Sequence, residues 1–264
     1  MVNIQLSIEE LIFSFYSEGL YEQGISMKET YFPSLQDSEL KLMLEFATRS
    51  MMAKNMVHEV NNQYKLKEEY APFIHILSFA ERTVKASKFD LERDGEESIS
   101  FHLRNGEIYI HRLLHDHQVH YVSKIPEKQF IISIKEFFQF NKMDNKSEIL
   151  YKIKNKEFEE LLEDMSTSSS PTQLTIQKWI PRMQASFALE FLEDIANRKG
   201  KMDSLLSLKY DSENNPELID IIFVIPGKSD FWLITRDQSL DLNIQKVSES
   251  LIKDLLQNRM APFI

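Results

Sequence analysis

The dipeptide Asn105-Gly106 lies between two runs of strict apolar–polar alternation, Ile99, Phe101 and Leu103 on one side and Ile108 and Ile110 on the other. A two-residue turn that matches the twist of paired strands needs positive φ at both positions, which Asn and Gly tolerate best. The pair predicts a β-hairpin with Leu103 opposite Ile108 and His102 opposite Tyr109. His102 and His111 then share one face of neighbouring strands, expected to be the outer, polar face. An antiparallel sheet is therefore obligatory.

Period-two patterning recurs from about Gln118 to Ile125, at Leu206, Leu208 and Tyr210, from Leu218 to Ile225 and from Phe231 to Thr235, with Pro126 and Pro226-Gly227 as stops. The other segments read as helices. Ser7 and Glu10 form a capping box ahead of Ile8, Leu11, Ile12, Phe15 and Tyr16, and Gly19 closes that helix. Further helices are expected from Leu35 to about Val60, Leu66 to Arg82 with Pro72 in the first turn, Gln129 to Phe140, and Lys156 to Met165. Thr172 to about Asn197 is expected to be helical with a bend at Pro181. Ser166 to Pro171 reads as a linker. A final helix starts at Asn243 or Ser248 and runs to about Arg259.

The order of elements repeats: helices, a meander, a closing helix. Glu107 to Phe140 can be laid beside Asp220 to Gln257, although strand–strand–helix is also a common unit and leaves duplication open. The expected fold class is α+β, with two quasi-repeated halves and an antiparallel β-meander sheet flanked by helices. The halves are 1–145 and 146–264, fused in one globular unit.

Charge removes several function classes. The 264 residues carry a formal net charge of -10, which repels nucleic-acid phosphates and acidic membrane surfaces. Helices ahead of the hairpin, Met52 to Arg82, resemble a winged-helix arrangement, but Glu59, Glu68, Glu69 and Glu81 deny it a basic reading helix. There is no Cys, so thiol catalysis and thiolate metal sites are excluded. The most apolar run, Leu218 to Ile225, is far short of the roughly 20 residues of a membrane span. The first residues show no secretory pattern, and the expected location is the cytoplasm.

Catalytic signatures fail one by one. Gly19 and Gly24 have the outer spacing of a phosphate loop, but Ile25-Ser26 follow where Lys is required. No Gly-x-Ser-x-Gly elbow occurs. The acidic pairs Glu159-Glu160 and Glu163-Asp164 share one short helix and read as a solvated face. Met43, Met51, Met52 and Met56 read as core, or else as an adaptable binding surface. Five of the seven histidines lie between His102 and His120, and His111, His115, His117 and His120 could offer imidazoles to a metal if the turn folded back on the sheet. A polar sheet face with a polar turn is the plainer reading, and no cofactor or catalytic residue is expected.

The opening helix with Leu11, Phe15 and Gly19 resembles the EspG-type chaperones of type VII secretion systems and their counterparts in Gram-positive bacteria outside the mycobacteria. The likeness continues through Met52-Ala53-Lys54-Asn55-Met56-Val57, Tyr64-Lys65-Leu66 and the strands to Ile125. It implies two quasi-symmetric halves around a shared antiparallel sheet and no catalytic site. It also implies a cytoplasmic chaperone that binds the apolar end of a helical secretion substrate. In the family, a loop between sheet strands and the helical part of the second half make that contact. Carried onto this chain, the loop is Leu113, Leu114, His115, Asp116 and His117, and Phe231 and Trp232 are a candidate aromatic anchor or ordinary strand packing. The implied partner is a helical secreted protein, or a toxin carrying a helical hairpin. The chain is Lys-rich and Gly-poor beside the mycobacterial members. Two other functions fit the residues: an immunity protein neutralising a toxin, and a metal-dependent enzyme using the His102–His120 cluster.

Overall fold

The computed structural model describes residues 3–92, 94–140, 148–167 and 173–256. The chain opens with β1 (Asn3–Ser7), α1 (Ile8–Ser17), α2 (Tyr21–Tyr31), α3 (Asp37–Ala53), a small hairpin β2 (Val57–Val60) and β3 (Gln63–Leu66), and α4 (Ala71–Ser78). A meander follows, β4 (Arg82–Asp90), β5 (Gly95–Arg104), β6 (Glu107–Leu114) and β7 (Val119–Ile125), closed by α5 (Glu127–Phe138). The plan then repeats with β8 (Ile149–Ile153), α6 (Asn155–Thr167), α7 (Gln173–Met183), α8 (Ala188–Asn197), β9 (Asp203–Tyr210), β10 (Pro216–Pro226), β11 (Phe231–Arg236), β12 (Leu242–Lys246) and α9 (Glu249–Asp254).

Strand order in the ten-stranded sheet is β1-β7-β6-β5-β4-β9-β10-β11-β12-β8. Each half thus begins with a strand that returns to pair, antiparallel, with the last strand of its own meander, β1 with β7 and β8 with β12. Four of the sheet's strands went unread in the sequence: β4 and β8 carry no clean alternation, and β1 and β12 alternate over only five residues each. The described residues fall into two compact units, one within Met1–Thr83, Ile99–Phe130 and Tyr210–Asn214, the other within Val84–Ser98, Ile131–Lys209 and Asn215–Ile264.

In the first unit the Asn105-Gly106 hairpin has the expected register, Leu103 opposite Ile108 and His102 opposite Tyr109. The capping box also forms: Ser7 N–H donates to Glu10 Oε2 at 2.9 Å and Glu10 N–H to Ser7 Oγ at 3.3 Å. Glu10 is buried and also accepts from Ser50 Oγ at 2.7 Å and Lys54 Nζ at 2.6 Å, so the start of α1 is tied to the end of α3. The core joins Ile4, Leu6, Leu11, Phe15 and Met51 to Phe73, Ile74, Tyr109 and Val122.

Two helices expected to run long are cut short. The one from Leu35 ends at Ala53, and Val57–Val60 is a strand; the one from Leu66 is only Ala71–Ser78. Asn61 and Asn62 take φ of 51° and 60°, closing a tight turn between Val60 and Gln63. A run of adjacent Asn residues supplies that conformation at low cost, as Asn-Gly does. Met52 to Arg82 is therefore a hairpin and one short helix, and not a winged-helix pair. Helix α2 was not expected at all, since its apolar residues follow no clear stripe.

In the second unit the core is built on two tryptophans, Trp179 and Trp232, with Phe191, Leu192, Ile225 and Ile244. The indole N–H of Trp232 donates to Asp194 Oδ2 at 2.9 Å, and the Lys228 amide donates to Asp194 Oδ1 at 3.2 Å. A Cβ on Gly227 would lie 2.4 Å from Asp194 Oδ2, so only glycine lets the β10–β11 turn come so close. Pro181 lies within α7, and the break expected there falls after Met183, where Gln184 has φ of 48°. The last helix starts at the second of the two expected places, with Ser248 Oγ accepting the Leu251 amide at 3.2 Å; its expected end near Arg259 and most of the Ser166–Pro171 linker lie outside the described residues.

Asp194→Ala would strand a buried indole N–H and an amide together. The expected loss is about 2–4 kcal/mol of unfolding free energy, with Asp194→Asn retaining part of it, as read from urea denaturation.

Candidate partner-binding site

The loop singled out in the sequence is the tip of the β6–β7 hairpin. Register runs Leu113 opposite His120 and Leu114 opposite Val119, leaving His115 to Gln118 as the turn. His115, Asp116 and His117 are exposed, while Leu113 and Leu114 are half-buried at its base and point to opposite faces of the sheet. The turn has an unusual backbone: His115, Asp116 and His117 take φ of 52°, 53° and 68° in succession. The left-handed region costs an L-residue about 1–2 kcal/mol, least for residues like Asp and Asn whose side chains bond locally. The turn is closed by the Gln118 amide donating to His115 O at 3.1 Å. The tip is thus a polar knob with a leucine on each side of its neck.

Of the aromatic pair, Trp232 is not a surface residue. It is fully buried, held by the Asp194 hydrogen bond, packed against Phe187 and Phe191, and covered by Lys246 Nζ 3.4 Å from its ring centroid. Its outward reading is corrected: in β11 it belongs to the inward set. Phe231 is half-buried and meets Phe140 edge-on at 4.9 Å, so ordinary packing explains most of its surface.

The histidines divide into two groups. His115 and His117 stay in the exposed turn. His102, His111 and His120 form a row across β5, β6 and β7 on one face, with ring centroids 5.7 Å and 5.2 Å apart. The shared face was expected, but it is not an outer one: Tyr109 and Val122 on the same face pack into the core of α1 and α4, and Tyr31 of α2 meets His120 edge-on. His111 Nε2 and His120 Nδ1 are 3.0 Å apart, so one donates to the other, and Thr83 Oγ1 lies 2.9 Å from His102 Nδ1. Burial pushes His102 down to about 4. Burial, and then the charge of His117, push His120 to about 4. His111 is held well below the usual imidazole range by burial first and by its two neighbours second. The row is therefore neutral at pH 7. Among the described residues no group of three or more His, Asp or Glu is arranged to hold a metal ion.

A groove the sequence did not reveal lies in the first unit, a cavity of about 880 Å³ between α1, the start of α2 and the β2–β3 hairpin. Tyr16, Tyr21 and Tyr64 line it beside His58, Lys65 and Glu68. Tyrosines offer large, stiff contact area with a polar end, which suits a protein partner. Gly24 lets α2 settle on α1, since a Cβ there would be 2.9 Å from the Tyr16 ring. The groove escaped the sequence reading because two of its walls, α2 and the small hairpin, were themselves missed.

The architecture is that of the EspG-type chaperones. The chain is similar over 98% of its length to the Mycobacterium tuberculosis type VII secretion system chaperone EspG5, whose structure was solved in complex with a PE25–PPE41 dimer; 97% of that chain is covered, with a TM-score of 0.66 at 11% identity. The chain belongs to the family described as "Uncharacterised protein YfjC", whose model matches residues 3–256. The Bacillus subtilis (strain 168) protein YfjC is 37% identical over 257 residues, 97% of this chain and 99% of that one. No helix among the described residues is long and apolar enough to cross a membrane.

Two outcomes are expected. Asp116→Val, a β-branched residue at positive φ, should cost more than about 1 kcal/mol of unfolding free energy, whereas Asp116→Gly should cost little or raise it. The histidine row should also make stability fall in acid. The folded values of about 4 for His102 and His120 lie below the ordinary 6.5, so the unfolded chain takes up protons first. Their contribution is complete above about pH 6.5 and declines as pH falls toward 4, by about 3 kcal/mol per group at most. Urea midpoints across that window should drop more steeply for the native chain than for a His102→Asn/His120→Asn variant.

Proposed function

We propose that this protein is a non-enzymatic, cytoplasmic chaperone-like adaptor that binds a helical secretion substrate of a type VII system. The observation that carries the reading is the agreement in fold, over nearly the whole length of both chains, with a chaperone solved on a helical dimer. Likeness of fold does not by itself transfer function, so the surfaces have to support it. Two do. The β6–β7 tip is exposed and polar, with a leucine on each side of its neck. The tyrosine-lined groove of the first unit gives a second surface on which an amphipathic helix could lie.

The test is co-expression with small helical-hairpin proteins, or toxins bearing such a hairpin, encoded beside the chain. A stable complex is expected, and a His115→Ala/Asp116→Ala/His117→Ala variant that still folds should bind at least about tenfold more weakly, near 1.4 kcal/mol. Affinity for no co-encoded helical protein would overturn the reading. Association that collapses steeply with salt, toward a toxin domain with no helical hairpin, would favour the immunity protein instead.

A further inference from the structure

Helix α3 buries little of what it carries. Of its 17 residues only Ala47 and Met51 are buried, whereas Leu42 and Phe46 stand 51% and 57% exposed. The exposed residues are ordered. Glu39, Leu42, Phe46, Arg49 and Ala53 follow one another at intervals of three, four, three and four, and all five are solvent-facing. That is the spacing of the seam along which two helices pack. Here it has an apolar centre, a carboxylate toward the N-terminus and a guanidinium toward the C-terminus.

Such a pattern is complementary to itself when run antiparallel. About a two-fold axis at the level of Leu44, Leu42 comes opposite Phe46 of the second copy, and Glu39 comes opposite Arg49 of the second copy. A parallel pairing would set Glu39 against Glu39. A two-fold interface requires a surface that matches its own rotated image, and this one does. Both charged ends are also positioned by local contacts. Glu39 Oε2 accepts the Gln36 amide at 2.9 Å, and the Arg49 guanidinium sits 5.5 Å from the centre of the Phe46 ring and 3.7 Å from Glu45. Beside the seam, Leu42, Met43, Phe46 and Ala47 line a cavity of about 410 Å³ against the start of α1, open to an aromatic side chain.

We propose that the solvent face of α3 is the interface of a symmetric homodimer, with two α3 helices packed antiparallel through Leu42 and Phe46 and closed by reciprocal Glu39–Arg49 ion pairs. The proposal is independent of the chaperone reading. A 17-residue helix is about 25 Å long. One such helix pair offers less than the roughly 800 Å² per partner of a standard interface, so the dimer is a weak one, with a dissociation constant in the micromolar range.

Sedimentation velocity of the full chain from about 1 to 200 µM tests this, spanning the range in which such a dimer forms. The native chain should pass from monomer to dimer. Leu42→Glu/Phe46→Glu should stay monomeric throughout, a loss of at least about a hundredfold in affinity, with an unchanged circular dichroism spectrum. Glu39→Arg and Arg49→Glu should each weaken association, and the two together should restore it. A chain monomeric at every concentration overturns the proposal. So does a dimer indifferent to Leu42 and Phe46, or one that the double charge exchange fails to restore. So does loss of helical-substrate binding in the Leu42→Glu/Phe46→Glu variant of a monomeric chain, which would assign the face to another protein.

Discussion

Both faces of an antiparallel strand must be accounted for, and in the first unit of this protein both are covered. Phe101, Leu103, Ile108, Ile110 and Ile125 lie on one face, where Phe101 meets Phe130 of α5 edge-on at 4.8 Å. Ile4, Leu6, Tyr109 and Val122 lie on the other, against α1 and α4. A slip of one residue would exchange the two sets, so the register is held from both sides. The hairpin tip inherits its definition from this. Leu113 and Leu114 anchor opposite faces, and His115 to His117 are left to close the gap in left-handed conformations.

Covering both faces also explains where the buried polar groups are. The histidine row lies on a face that would be wet in a single-layered sheet; here it is enclosed, neutral and bonded to itself and to Thr83. Glu10 joins the start of α1 to the end of α3, and Asp194 joins α8 to the β10–β11 turn. Each is a junction at which apolar packing alone would leave the orientation of one element loose. Directional bonds in a low-dielectric setting remove that freedom.

The surfaces left over are of different kinds. The β6–β7 tip is polar, the groove beside α1 is aromatic, and the face of α3 is apolar with charged ends. The proposed helical client would use the tip and the groove, and the proposed second copy would use α3, so the two proposals draw on separate surfaces of one EspG-like fold.

Much of the fold was legible because local rules are strong at particular residues. Asn105-Gly106 set a hairpin and its register, Ser7 with Glu10 set a helix start, and Gly19 set a helix end at φ of 76°. β4 was not legible because burial on both faces erases the period-two signal; β1 and β12 alternate, but over only five residues each, too short a run to stand out beside a helix start or a turn. The same limit governs the candidate site. Local pattern placed His115 to His117 in a turn and His102 beside His111, since neighbours along a strand or across a tight turn are decided by geometry a few residues long. Whether a face meets water or a helix depends on segments far away in the chain. Only the tertiary structure could therefore turn Trp232 inward onto Asp194, enclose the histidine row, and leave Leu42 and Phe46 in solvent.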